Sequence, residues 1–468
     1  MAMEFTRRQF FGGLSVLFAT ASARTYAQAV GAGKPLLSFG VLSDVHISKA
    51  RSTELWEKAL RYFDGQGADG VVVAGDIADQ GLVSQLTQVA DVWFKVFPDG
   101  RSARDGRKVE QLFALGNHDF EGWKYGRAKT IYDNLPKEEK LVTDMAGNWE
   151  RLFREPYRPI WQKDVKGYTF IGAHWVSWEG IPEIGPYMKE HGPALAGKRP
   201  FFYIQHPQPK DTCLGWWIWG HDNGCSTEAL KPYPNAVAFS GHSHKTLTCE
   251  RNVWQGAFTS VGTASLYNLG SEIGRENGSK SPIKTHGVMK PYRSWTGKET
   301  VAAHGQFVRV YADFIEIERR DFVSGRSVGP NWVVTVPAGQ KAPFLYASRK
   351  AASKAPGPFP AGAEAQVKVS RPKGVVRLEF PPARAIAGAS PIFDYEIEAV
   401  HAEADVERTL FTKYVYGPGV FADLTEEKGP IVAEFDERLF PTLGEVTFRI
   451  RAHELFGKFN EPIVARLG

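Results

Sequence analysis

Five short apolar runs in this chain of 468 residues each end on a side chain able to hold a metal ion. Residues 36–43 lead into Asp44, 70–74 into Gly75 and Asp76, and 111–115 into Gly116 and Asn117. Residues 201–205 lead into His206, and 236–240 into Gly241 and His242. Such runs, rich in Val, Ile and Phe and closed by glycine or a polar residue, read as buried strands. Between them, residues 53–63 and 82–97 place apolar side chains at helical spacing. Alternating strand and helix predicts a layered α/β core, and open α/β sheets gather ligands at the carboxyl ends of their strands. Glycines at 75, 116 and 241 permit the tight turns and close backbone approach of a crowded site.

The donors come in blocks: Asp44-Val45-His46, Gly75-Asp76, Gly116-Asn117-His118-Asp119, the single His206, and Gly241-His242-Ser243-His244. Carboxylate, imidazole and carboxamide oxygen suit divalent Mn, Fe or Zn, and no thiolate belongs to the blocks. Two such cations sharing a carboxylate would clamp a phosphoryl oxygen and stabilise both the attacking and the leaving oxygen of an in-line displacement. The chemistry expected of the set is phosphoester hydrolysis. His174 follows a strand-like stretch at 168–173 and His221 precedes the last block, so either stands near the site in sequence; His191, His286, His304, His401 and His453 read as surface or core residues.

In this order the blocks resemble the calcineurin-like metallophosphoesterase superfamily. The resemblance implies a four-layer α/β fold of two facing mixed β-sheets flanked by helices. It implies that Asp44, His46 and His244 hold one metal, that Asn117, His206 and His242 hold the other, and that Asp76 bridges the two. A metal-bridging hydroxide is then the nucleophile, His118 faces the leaving-group oxygen, and Asp119 is available to orient His118. Purple acid phosphatases share this ligand order but carry an iron-binding tyrosine three residues after the bridging aspartate. Here that position is Asp79.

The first residues bear on location. Thr6-Arg7-Arg8-Gln9-Phe10-Phe11, a short apolar stretch to about residue 21 and Ala27-Gln28-Ala29 resemble a twin-arginine signal peptide over residues 1–29. The stretch falls short of the roughly 20 apolar residues a permanent span needs, so no membrane span is expected after cleavage, and the destination is periplasmic or extracellular. The formal charge of +5 includes +2 from Arg7, Arg8 and Arg24 against Glu4. The remainder gives no support for nucleic acid as a partner. Of three cysteines, Cys213 and Cys225 would close a short loop as a disulfide, and three free thiols fit the sequence equally.

Metallophosphoesterase character is assigned to 36–340, with 253–261, 306–311 and 314–319 expected in the outer part of a second sheet and 325–337 as a closing strap. A linker rich in Ala, Pro and Gly at 341–362 precedes a C-terminal all-β sandwich at 363–468, with strands expected at 365–369, 375–380, 393–400, 445–453 and 462–467. Residues 447–457 resemble the last strands of a fibronectin type III domain, although Phe448 stands where that family has its corner tyrosine. Packing, envelope contact and partner binding are all open roles for this unit. Between two ligand blocks, Trp216, Trp217, Trp219 and His221 are candidates for substrate contact, stacking on a base or sugar or holding a lipid chain, or else forming a buried loop patch. A basic insert at 263–304 carries Arg275, Lys280, Lys284, Lys290 and Arg293. Nucleotides, lipid head groups and sugar phosphates are the substrate classes expected, with diesters favoured over monoesters. The alternative is an inactive relative that binds an envelope glycan or phosphopolymer on the same fold.

Overall fold

Strand Leu37–Leu42 organises the first sheet. Its neighbours Gly70–Ala74 and then Glu110–Ala114 are added in parallel on one side, and His304–Val310 pairs antiparallel on the other. Phe314–Asp321 follows, carrying both Arg326–Ser327 and Trp332–Thr335. The second sheet runs Ile160–Val165, Tyr168–Ala173, Phe201–Ile204, Ala236–Ser240, Thr259–Gly262, Val253–Gln255, and its middle four strands are parallel. This computed structural model describes residues 33–467 apart from 126–127, 178–179, 214–220, 270–281, 286–287, 292–301, 340–341, 373, 385, 387–391, 404–405, 418–419, 421–428 and 442–444. The expected signal peptide at 1–29 therefore lies outside the described residues, as do Trp216, Trp217, Trp219, Arg275, Lys280 and Arg293.

Strand periodicity sorts side chains into the layers. Phe39 points between the sheets, where Phe170, Phe202 and Phe239 meet it with ring centroids at 5.2, 4.9 and 5.8 Å. The alternate residues Leu42, Val71, Val73 and Phe113 face outward into a core closed by helices Ala50–Gly65, Val83–Val96 and Met145–Phe153 through Trp56, Phe63, Trp93 and Phe153. On the far side Ile171, Tyr203 and Ala238 are covered by Ile184–His191 and Cys225–Leu230. The result is the expected helix, sheet, sheet, helix order. Each buried large apolar side chain in it contributes about 1.5–3 kcal/mol through removal from water.

Two sheet assignments differ from the sequence reading. Residues 306–311 and 314–319 join the first sheet rather than the second, because the open edge of Leu37–Leu42 needs backbone partners and His304–Val310 supplies them. The expected run 253–261 is a hairpin of two strands, Val253–Gln255 and Thr259–Gly262, and it closes the edge of the second sheet. The strap at 325–337 is the pair of short strands on Phe314–Asp321.

The C-terminal part is all β. Lys368–Ser370, Val375–Phe380 and Ile431–Asp436 form one sheet; Val406–Tyr416, Ile392–Glu403, Glu445–Glu454 and Ile463–Leu467 form the other. Leu378, Phe380, Tyr395, Ile397, Phe435 and Phe448 fill the space between them. Val406–Tyr416 and Ile431–Asp436 were not expected as strands; the first carries Glu407, Arg408, Thr409 and Lys413, which hide its apolar alternation. Within 341–362 lies the helix Tyr346–Ala352, whose Arg349 donates to Val253 O at 3.0 Å. Phe393, Tyr416, Leu455 and Phe456 share one core with Leu247, Cys249 and Val253, so the sandwich packs on the segment that follows His244. All three cysteines are free, with Cys213 Sγ directed at Asn252 O and Ser260.

Candidate metal centre

Every ligand block follows a strand of the two sheets, and several ligand residues adopt backbone that L-residues seldom do. Asp44, His46, Asp76, His242 and His244 have φ between 46° and 67°. Left-handed backbone of this kind costs on the order of 1–3 kcal/mol per residue and persists only where surroundings enforce it. The enforcement is visible: Asp44 N donates to Gly75 O at 2.9 Å, His46 N to Asp76 O at 3.0 Å and Gly241 N to His206 O at 3.0 Å. Asp119, fully buried, gathers the amides of Ala78 at 2.6 Å, Gly116 at 2.8 Å and Ile77 at 3.2 Å, tying two ligand loops together. Gly75 has φ +88°, and a Cβ there would lie 2.3 Å from His206 Nδ1.

Outward hydrogen bonds set the direction of the imidazoles. His206 Nδ1 pairs with Ala74 O at 2.8 Å, His46 Nδ1 with Asp79 Oδ1 at 3.0 Å, and His244 Nδ1 with Asn268 Oδ1. Each ring therefore gives its N–H to an acceptor outside the cluster and turns its Nε2 lone pair inward. There the lone pairs meet carboxylate oxygens: His244 Nε2 is 2.9 Å from Asp44 Oδ1, and His206 Nε2 is 3.0 Å from Asp76 Oδ2. His46 Nε2 lies 3.9 Å from Asp44 and 3.8 Å from Asp76. His242 Nδ1 comes within 3.1 Å of His206 Nε2. Asn117 Oδ1 is buried and meets no donor among the described residues.

An array of acceptors facing one another is repulsive unless positive charge lies between them. Protons are one source. Burial opposes the charge on His206, yet Asp76 and Asp44 push it up to about 9, and Asp44 likewise raises His244. Burial opposes ionisation of Asp44 and Asp76 too, but the facing histidines hold both below the usual carboxylate range. His242, buried beside the His206 charge, falls to about 3. Divalent cations are the other source, and the donor groups Asp44/His46/His244 and Asp76/His206/His242 each bring their ligand atoms within 4.8 Å of one another. The residues fit borderline cations held by N and O.

His118 stands beside this cluster in a different setting. Its amide donates to Asp76 Oδ1 at 2.8 Å, and its Nδ1 pairs with Asp79 O at 2.7 Å. The side chain is 24% exposed, against 4% for His46 and none for His206, so it belongs to the open face of the site. Orientation of the ring falls to Asp79; Asp119 is taken up by its three amides, and burial followed by the Asp76 charge pushes it up to about 7. Tyr125 packs on His118 with centroids 4.8 Å apart, and Tyr267 lies 5.4 Å from His46. His221 is half-buried with Nδ1 bonded to Asp222 O at 2.7 Å. Sequence reasoning missed Asp79, Tyr125, Tyr267 and Asn268 as site residues. Only Asp79 had a signal, its spacing of three from Asp76.

The model of the calcineurin-like phosphoesterase family matches residues 37–246. A dimetal phosphatase from Danio rerio is 10% identical, with 64% of this chain and 99% of that one covered and a TM-score of 0.35. The purple acid phosphatase PPD1 from yellow lupin is 13% identical, covering 64% of this chain and 53% of that one, with a TM-score of 0.38. GAP50, the anchor in the inner membrane complex of Plasmodium, is 11% identical over 66% of this chain and 90% of its own, with a TM-score of 0.37. No curated protein sequence matches.

Proposed function

We propose that the chain is an exported phosphoesterase working with two divalent cations, Mn, Fe or Zn, held by Asp44, His46, Asp76, Asn117, His206, His242 and His244. The observation that carries this reading is the inward set of three Nε2 lone pairs on two buried carboxylates, each imidazole fixed from behind. Bound there, the cations supply Lewis acidity and an activated water. Asp76 and Asp44 provide the negative charge that retains them. His118 offers Nε2 to the leaving oxygen, and Asp79 O fixes the tautomer needed for that contact. Tyr125 and Tyr267 flank His118 and His46 and favour a diester, whose second substituent would rest against a ring. Lipid head-group, nucleotide and sugar phosphodiesters all carry such a substituent. The Arg7-Arg8 segment supports export through the twin-arginine route; among the described residues no helix is long and apolar enough to cross a membrane. For the C-terminal unit, the three-plus-four strand order supports a fibronectin type III-like sandwich with an envelope contact as its role.

The test is hydrolysis of bis-p-nitrophenyl phosphate beside p-nitrophenyl phosphate by metal-stripped protein reloaded with Mn, Fe or Zn. Turnover that depends on metal and prefers the diester is the expected result. Asp76→Asn and His206→Ala are expected to lose metal and turnover together, whereas His118→Ala retains metal and slows by about 10²–10⁴-fold. Full activity in Asp76→Asn would refute the assignment.

A further inference from the structure

The ligand set contains one group whose usefulness depends on which way round it sits. A carboxylate presents oxygen on both sides, and an imidazole with Nδ1–H held has one lone pair to offer. A carboxamide turned by 180° instead places an NH₂ where the oxygen should be. Asn117 is that group: its Nδ2 donates to the Tyr125 hydroxyl at 3.1 Å, while Oδ1 is buried and meets no donor among the described residues.

The Asn117 bond alone does not choose this orientation, because a phenol hydroxyl both donates and accepts. Glu121 makes the choice. Its Oε1 lies 3.4 Å from the Tyr125 hydroxyl, and an ionised carboxylate can only accept, so the phenol proton is directed to Glu121. The remaining lone pairs of the hydroxyl then require a donor, which is Nδ2 of Asn117. Glu121 is also ion-paired with Lys124. The local fold places the three groups together. Asn117 opens and Glu121 closes the helix Asn117–Glu121, and a single 3₁₀ turn, Gly122–Lys124, brings Tyr125 back over His118.

We propose that Glu121 and Tyr125 are positioning residues that act as a polarity relay, fixing the Asn117 carboxamide with Oδ1 toward a divalent cation. The assignment rests on the metal-centre reading for what Asn117 faces. It is tested on metal uptake rather than on turnover.

The experiment is Mn(II) titration of full-length metal-stripped protein, followed by calorimetry and by electron paramagnetic resonance of free Mn(II), for wild type, Tyr125→Phe, Asn117→Ala and the double variant. Phe keeps the ring on His118 and removes only the hydroxyl. Tyr125→Phe is expected to weaken one Mn(II) site by about 10-fold or more while leaving the other site as in wild type. In the Asn117→Ala background the same change is expected to add less than about 2-fold, because the carboxamide it acts through is gone. Wild-type affinity at both sites in Tyr125→Phe overturns the relay, and so does an undiminished effect in the Asn117→Ala background. Glu121→Gln serves as a second variant should Tyr125→Phe not fold. It lets the side chain donate to the phenol, and it is expected to weaken the same site; unchanged binding there overturns the relay. Two bound Mn(II) in wild type with no phosphoester hydrolysis would count against the proposed function, while the pattern across the variants would still decide the relay.

Discussion

His174 gives the centre a measurable acid sensitivity. Its side chain is buried, and its Nδ1 accepts the Leu115 amide at 2.9 Å, just before Gly116 and Asn117. That bond requires a neutral ring, since a proton on Nδ1 would set donor against donor. Burial, with the Lys163 charge adding to it, lowers the ring from 6.5 to about 3. Between those two values the unfolded chain binds a proton that the folded chain refuses, so this contribution to stability is complete above pH 6.5 and is lost as pH falls below it. At about 1.4 kcal/mol per pH unit, the loss at pH 5 is about 2 kcal/mol. His174→Asn places a carboxamide oxygen near the Nδ1 position and does not titrate. Urea unfolding of both proteins at pH 7 and pH 5 isolates the effect, because the other titrating groups cancel in the difference. The gap between wild type and variant is expected to move by about 2 kcal/mol in favour of Asn at the lower pH. A gap that stays constant, or a His174 ring resonance that titrates near pH 6.5, would refute the argument.

Other outcomes follow from single contacts. Gly116→Ala would put a Cβ 2.3 Å from Asp76 Oδ1 and 2.6 Å from His206 Cγ. Metal affinity is expected to fall by about 10-fold or more, as read by bound metal after dialysis; undiminished metal content would contradict the geometry. Asp79→Asn removes the charge that receives His46 Nδ1–H at 3.0 Å and faces His118 Nδ1 at 3.8 Å. Turnover per bound metal is expected to drop by about 10-fold, with the kcat pH profile displaced, and an unchanged profile would argue against a role for this carboxylate. With Asp79 where purple acid phosphatases have tyrosine, iron-loaded protein is expected to lack an intense tyrosinate band in visible absorption.

Much of the fold was legible because buried parallel strands announce themselves as uninterrupted apolar runs. All five strands that carry the ligand blocks, and both principal helices, lie where the sequence pattern puts them. Half-buried antiparallel strands were harder. Ile160–Val165 and Val406–Tyr416 mix charged and polar residues with apolar ones and carry no glycine or ligand signal, so neither was foreseen. Sheet membership was harder still: Val308 and Ile317 are apolar strand residues in either sheet, and the choice was made by the open edge of Leu37–Leu42.

By itself the sequence determined the ligand inventory and the strand ends that bear it, because residue type and apolar periodicity are local properties. Tertiary structure decided what surrounds those ligands. Asp119 reads in sequence as a neighbour of His118, yet three backbone amides from two loops capture it. Asn268 lies 24 residues beyond His244, and no spacing connects them, but folding brings its carboxamide onto the ring. Tyr125 is eight residues from Asn117, and only the turn at Gly122–Lys124 makes them partners. Ligand identity is written along the chain, whereas ligand orientation depends on hydrogen bonds between segments that no periodicity links, and these exist only once the sheets have packed.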